Sequence, residues 1–166
     1  MFFRIKKIKG KEYAYLVHNK WRKKGPRQKV KGYLGRVHRF NLKNEISFLE
    51  HLKIESLNNY IEKNSRNKII KDLVEWEIFK HNIGGKEFLV DLENLNVQKD
   101  KSNVVFMINE GFLCNLTLKN LLQFKAEGDE QEDGYKLARS FVEAGIKIPQ
   151  EVFVGLFGKL YKTTQG

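Results

Sequence analysis

The first forty residues and the rest of the chain show two different hydrophobic periodicities. Residues 2–9, 12–22 and 27–38 are rich in branched and aromatic residues and are separated by two glycine-containing turns, a pattern typical of β-strands. From residue 44 onward, apolar residues recur at intervals of three and four, as on one face of a helix. The sequence therefore predicts an α+β fold that begins with a three-stranded antiparallel meander with one apolar and one basic face.

The remaining residues predict a mixed, mainly helical body with a small β-hairpin. Its expected helices are 44–62 (weakest near 53–55), 66–82, 115–124, 130–144 and 150–161, and its expected strands are 86–92 and 103–108, joined by the polar stretch 93–102. Asn44 is the expected N-cap of the first helix, and Lys162–Gly166 is expected to be a loose tail. Because charge and periodicity change together, we place a domain boundary between a module of residues 1–42 and a body of residues 43–166.

Positive charge is concentrated in the predicted meander. Residues 1–40 contain fourteen lysines and arginines and one acid, Glu12, a net charge of +13 in a chain whose total is +11. The other residues carry 17 basic and 19 acidic side chains. Because nucleic-acid affinity comes largely from neutralising phosphates, this asymmetry predicts that the basic module binds nucleic acid.

The predicted interface combines cations with aromatic rings. Arginines present planar forks to phosphate or guanine, and rings on a sheet stack unpaired bases, which slightly favours RNA over DNA. The expected interface residues are Lys6, Lys7, Lys20, Trp21, Arg22, Lys23, Lys24, Arg27, Lys29, Lys31, Tyr33, Arg36 and Arg39. A plainer interpretation is that the lysines protect sheet edges and that Tyr13, Tyr15 and Trp21 are core residues.

A short motif closes the predicted meander. The pattern R-Q-x-V-x-x-x-L-G-R is formed by Arg27, Gln28, Val30, Leu34, Gly35 and Arg36. Through this motif, residues 1–37 resemble the N-terminal segment of insertion-sequence transposases, which implies a nucleic-acid-associated module. Transposition is not implied, because we find neither room for the catalytic domain of those enzymes nor its acidic triad.

Three stretches of the body carry a second resemblance. They read LVEWEIFKHNIGG, NEGFLCNLTLKNLL and GYKLARSFVEAGIKIPQEVF. With them the chain resembles a group of small uncharacterised archaeal proteins. This resemblance implies an archaeal source and no particular function.

Acids near predicted strand ends support an alternative function, that of a metal-dependent nuclease. Asp91, Glu93 and Glu110 follow strands in an order similar to that of restriction-type nucleases, whose acids hold Mg²⁺ for phosphodiester hydrolysis. The usual Glu-x-Lys pairing is missing, since Gly111 and Phe112 follow Glu110. A second alternative is a protein–protein adaptor whose basic strands dock an acidic partner.

The remaining features predict a cytoplasmic protein without a cofactor. The chain has one cysteine, Cys114, and four histidines, none of which has another histidine or a cysteine three or four residues away. No apolar run approaches the ~18 residues that span a bilayer, and charges interrupt the N-terminus, so neither a membrane nor a signal peptide is expected. We therefore expect non-catalytic binding of RNA or DNA, with a ribonucleoprotein as a further partner.

Overall fold

In the described part of the chain, one seven-stranded sheet forms most of the core together with six helices. The computed structural model describes the backbone of residues 1–165 and the side chains of residues 1–161. In chain order, the described elements are β1 (Phe2–Ile8), β2 (Lys11–Arg22), β3 (Gly25–Arg39), α1 (Phe48–Leu52), α2 (Leu57–Lys63), α3 (Arg66–Lys80), β4 (Phe88–Asp91), β5 (Asn96–Lys99), β6 (Ser102–Ile108), β7 (Gly111–Leu113), α4 (Asn115–Leu122), α5 (Glu130–Glu143) and α6 (Gln150–Gln165). The predicted α+β class is confirmed.

The order of strands in the sheet is β1-β2-β3-β6-β5-β4, with β7 also paired to β6. Both pairings among β1, β2 and β3 are antiparallel, which confirms the predicted three-stranded arrangement. β3 then continues as the parallel neighbour of β6, with Arg36 opposite Val104 and Arg39 opposite Met107. The meander and the body strands thus share one sheet, while the boundary at residues 42/43 stays a prediction.

The body contains more strands than the small hairpin that the sequence predicted. Four strands, β4 to β7, are present, and β5 lies inside the polar stretch 93–102 that was expected to be a link. Tight turns bound this short strand, because Leu95, Asp100 and Lys101 all adopt positive φ angles. Four-residue strands between such turns leave too few residues for an alternating pattern to be recognised.

Serine caps divide the predicted helix 44–62 into two. Ser47, not Asn44, caps α1, and its Oγ accepts a hydrogen bond from the Glu50 amide at 3.2 Å. Lys53, with φ of 56°, ends α1, and Ser56 caps α2. At the other end of the chain, α6 extends to Gln165, so the expected loose tail is wrong for residues 162–165, and Gly166 lies outside the described residues.

Two apolar clusters lie on opposite faces of the sheet. The main cluster packs helices against β6, and its fully buried members include Phe106, Ile69, Leu73, Leu118, Leu137, Phe141 and Leu156. The smaller cluster consists of Ala14, Val37, Val105 and Cys114, with partly buried neighbours such as Ile5 and Phe112. Both clusters end near the base of the meander, which leaves the far end of its hairpin outside the core.

Candidate nucleic-acid interface

The far half of the β2–β3 hairpin projects from the sheet as a two-stranded arm. The pairing of β1 stops where Phe2 lies opposite Val17, and the pairing of β6 with β3 starts at Arg36. Residues 18–31, here called the basic arm, therefore have no third strand beside them within the described part of the chain. From residue 19 to 31 every side chain is exposed apart from Gly25, which is half-buried. The predicted apolar face is wrong for this region because no described residue covers the arm.

One face of the arm carries a continuous row of basic side chains. Residues directly opposite each other in an antiparallel ladder share a face, and Lys20 lies opposite Arg27 while His18 lies opposite Lys29. Arg22, two residues beyond Lys20, extends the row toward the tip because strand side chains alternate with a period of two. We call His18, Lys20, Arg22, Arg27 and Lys29 the cationic face.

Carboxylates do not neutralise the cationic face. Among the described side chains, the ion pair of the N-terminal segment joins Arg39 to Glu12, with Nε–Oε1 at 2.7 Å and Nη2–Oε2 at 2.8 Å. The hydrogen bond from Arg39 is the main reason why the pKa of Glu12 is lowered. The described acids of the body form their ion pairs with body cations. The charge of the arm is therefore available to an anionic ligand.

The tip of the arm exposes a tryptophan. Trp21 lies opposite Pro26 and is 82% exposed, so its interpretation as a core residue is wrong. Lys23 and Lys24 form the adjoining turn. An indole surrounded by cations at the end of a projection is placed to contact a ligand that the arm holds.

His18 lies within this positive environment. Burial of its ring, followed by the charges of Lys31, Lys20 and Lys29, lowers the pKa of His18. Its Nδ1 is buried without a hydrogen-bond partner among the described residues. The ring is therefore neutral near pH 7 in the free protein.

The thirteen predicted interface residues divide between the two faces of the meander. The cationic face carries Lys20, Arg22, Arg27 and Lys29. Its base carries Lys7 beside the Arg39–Glu12 pair, and the tip of the arm carries Lys23 and Lys24. Lys31 lies at a register shift in β3, and the opposite face carries Lys6, Trp21, Tyr33 and Arg36. Sequence reasoning missed Lys99 and Asn103, which the topology brings close to Arg36. No local pattern marks these two residues.

Two of the three acids of the nuclease alternative, Asp91 and Glu93, have structural partners. Asp91 accepts hydrogen bonds from the amides of Glu93 and Asn94 and from the Asn94 side chain, and the last of these is the main reason why its pKa is lowered. Glu93 pairs with Lys71 at 2.7 Å, and Glu110 lies in the β6–β7 turn. Within the described residues, no three His, Cys, Asp or Glu side chains are grouped so that they could hold a metal ion.

Comparison of the chain with protein-family models, with curated proteins and with solved structures finds no match. None of the described helices has the length and apolarity needed to cross a membrane. The functional argument therefore depends on the chemistry of the surface itself.

Proposed function

We propose that the protein is a non-catalytic nucleic-acid-binding protein whose basic arm contacts the phosphate backbone. The observation that carries this proposal is the cationic face, whose four exposed cations Lys20, Arg22, Arg27 and Lys29 lie on a two-stranded projection with no described carboxylate beside them. Phosphate contacts fix the register and orientation of a protein on nucleic acid. A projecting arm can follow a backbone that a compact surface would touch at one point.

RNA is the preferred ligand in this proposal. Trp21 is exposed at the tip, and Tyr33 is 58% exposed on the opposite face. Rings that stand free on a sheet can stack on unpaired bases, and such bases are the usual targets in RNA recognition. A ribonucleoprotein is therefore the proposed cellular partner.

Replacing Lys20, Arg22, Arg27 and Lys29 together with glutamine should strongly weaken binding to a structured RNA. If each contacts one phosphate, the slope of log affinity against log salt should become shallower by about three. Affinity at moderate salt should fall at least about tenfold. Filter binding at a series of salt concentrations measures both quantities.

The matched control replaces four exposed cations of the body, Lys43, Lys63, Lys86 and Lys119, with glutamine. It removes the same net charge and should leave the salt slope nearly unchanged. An equal loss in both variants would contradict the proposal, since binding would then depend only on total charge.

Fluorescence gives an independent readout of binding at the tip of the arm. RNA should quench the emission of the exposed Trp21. The change should disappear in Trp21→Phe, where the 6%-exposed Trp76 is the remaining indole.

RNA binding should tighten as the pH falls from about 7.5 to about 5.5, with His18 as the source of the effect. The lowered pKa of His18 keeps the ring neutral in the free protein. A phosphate beside the ring favours its protonated form and raises its pKa, so proton uptake accompanies binding. Isothermal titration at several pH values should show a gain of about twofold to tenfold. His18→Gln should remove most of it, and a dependence that this substitution leaves unchanged would assign the effect to another group.

A further inference from the structure

A cluster of three tyrosines lies at the base of the arm, on the face opposite the cationic face. Tyr15 lies opposite Tyr33, and Tyr13 lies opposite Arg36. The Tyr33 ring contacts both other rings, at centroid distances of 5.3 Å to Tyr15 and 6.3 Å to Tyr13. The Lys6 ammonium lies 4.8 Å from the Tyr15 ring centroid. These contacts hold Tyr33 in place while more than half of its side chain stays exposed.

A polar groove of about 640 Å³ begins at Tyr33, where the meander joins the body. It falls in the size range of pockets for small organic ligands. Its polar lining comes from β3, from β6 and from the end of β5, and includes Tyr33, Arg36, His38, Lys99, Ser102 and Asn103. The groove therefore places an aromatic ring, two cations and neutral hydrogen-bonding groups beside one another.

Arg36 and Lys99 bring positive charge to the groove. Burial lowers the pKa of His38, and the charges of Lys99 and then Arg36 lower it further. Two described acids lie nearby: Asp100, an exposed residue that lines the groove, and Glu87, whose largely exposed carboxylate is 3.6 Å from the Lys99 ammonium. A pair at that separation with a largely exposed carboxylate contributes little. A phosphate can therefore displace Glu87 as the partner of Lys99.

An open edge of β3 connects the groove to the arm. β3 has no second neighbour before Arg36, where β6 begins to pair with it. The register shift that places Val17 opposite Val30 and Leu16 opposite Gly32 leaves Lys31 without a partner in β2. A bulge of this kind twists the strand and redirects its side chain. Along β3, Lys31 lies between Lys29 of the cationic face and Tyr33 of the groove.

We propose that this groove binds one unpaired nucleotide, with its base stacked on Tyr33 and its phosphate held between Arg36 and Lys99. The inference rests on the proposed function and adds the ligand class of a second site. Stacking on Tyr33 accepts any base, because every base has a π-face. Arg36 offers a planar fork to phosphate oxygens. The same chemistry would admit a free mononucleotide, so the experiment separates a nucleotide within a strand from a free one.

The test compares Tyr33→Leu, Tyr33→Phe and Arg36→Gln with the four-residue variant of the cationic face. Each protein is titrated with a single-stranded uridine octamer, a blunt 20-base-pair duplex, uridine monophosphate and inorganic phosphate. Tyr33→Leu should lower affinity for the octamer by about fivefold to a hundredfold and leave affinity for the duplex unchanged. Tyr33→Phe should retain affinity for the octamer, because its ring remains.

The ring-proton shifts of Tyr33 and the titrations of the variants together decide the outcome. If the ring protons of Tyr33 shift with the octamer, and shift less with uridine monophosphate, the groove is a nucleotide site that prefers a nucleotide within a strand to a free one. If inorganic phosphate alone shifts the Tyr33 ring protons equally, the proposal that a base stacks on Tyr33 is wrong. If Tyr33→Leu binds the octamer as the unmodified protein does, while the cationic-face variant loses affinity, the groove proposal fails and the proposed function stands. If the cationic-face variant loses affinity for neither the octamer nor the duplex, the proposed function itself fails.

Discussion

Gly35→Ala should destabilise the protein by about 2–5 kcal/mol and loosen the junction between the meander and the body. Gly35 has a φ angle of 139°, and a Cβ atom built there would lie 2.5 Å from the Asn103 carbonyl oxygen and 2.8 Å from the Cα of Val104. A strained backbone costs about 1–3 kcal/mol, and overpacking costs a similar amount. Both obstacles are backbone atoms of β6, so a side-chain rearrangement cannot relieve them.

Urea unfolding measures the loss, and amide hydrogen exchange locates it. Exchange should accelerate first at Arg36–Arg39, where β3 pairs with β6. Gly32→Ala is the control in the same strand, because nothing lies within 4 Å of its added Cβ and its φ is ordinary. Equal stability of the two variants would show that the close approach of β3 to β6 is not needed.

The strands of the meander were predictable because local pattern and local contacts coincide there. β1, β2 and β3 are neighbours in sequence and in space, and their turns contain glycine with positive φ at Gly10 and Gly25. The parallel pairing of β3 with β6 joins residues more than sixty positions apart. No periodicity encodes such a pairing, although the glycine in the Leu34-Gly35-Arg36 stretch was a visible sign of a close backbone approach.

The candidate site also has a part that the sequence could predict and a part that it could not. The cationic face was predictable from composition, because its residues lie on two adjacent strands of one hairpin. The pairing of β2 with β3 decides which cations share a face, and this pairing is irregular near Lys31. The groove beside Tyr33 was not predictable, because Lys99 and Asn103 come from strands that only the topology brings to Arg36.

Glu77→Ala should be the most destabilising single change to a charged residue of the body, at roughly 3–5 kcal/mol. Glu77 is fully buried and accepts hydrogen bonds from the Asn109 side chain at 2.9 Å and the Lys147 amide at 3.0 Å. The Lys80 ammonium lies 3.1 Å from the carboxylate, and His81 Nδ1 lies 3.4 Å from it. One side chain thus connects α3 to the β6–β7 turn and to the loop before α6.

The cost arises because removing the acceptor leaves its donors buried without a partner. Lys80 would keep its position over the Trp76 ring, 3.5 Å from the centroid, but would lose the opposite charge. Thermal and urea unfolding should show a large loss for Glu77→Ala and a smaller one for Glu77→Gln, which retains the volume and one acceptor. Glu93→Ala is the matched control, since its pair with Lys71 is exposed and such pairs contribute about 0–1 kcal/mol. A loss no larger than that of the control would mean that this carboxylate does not hold the three segments together.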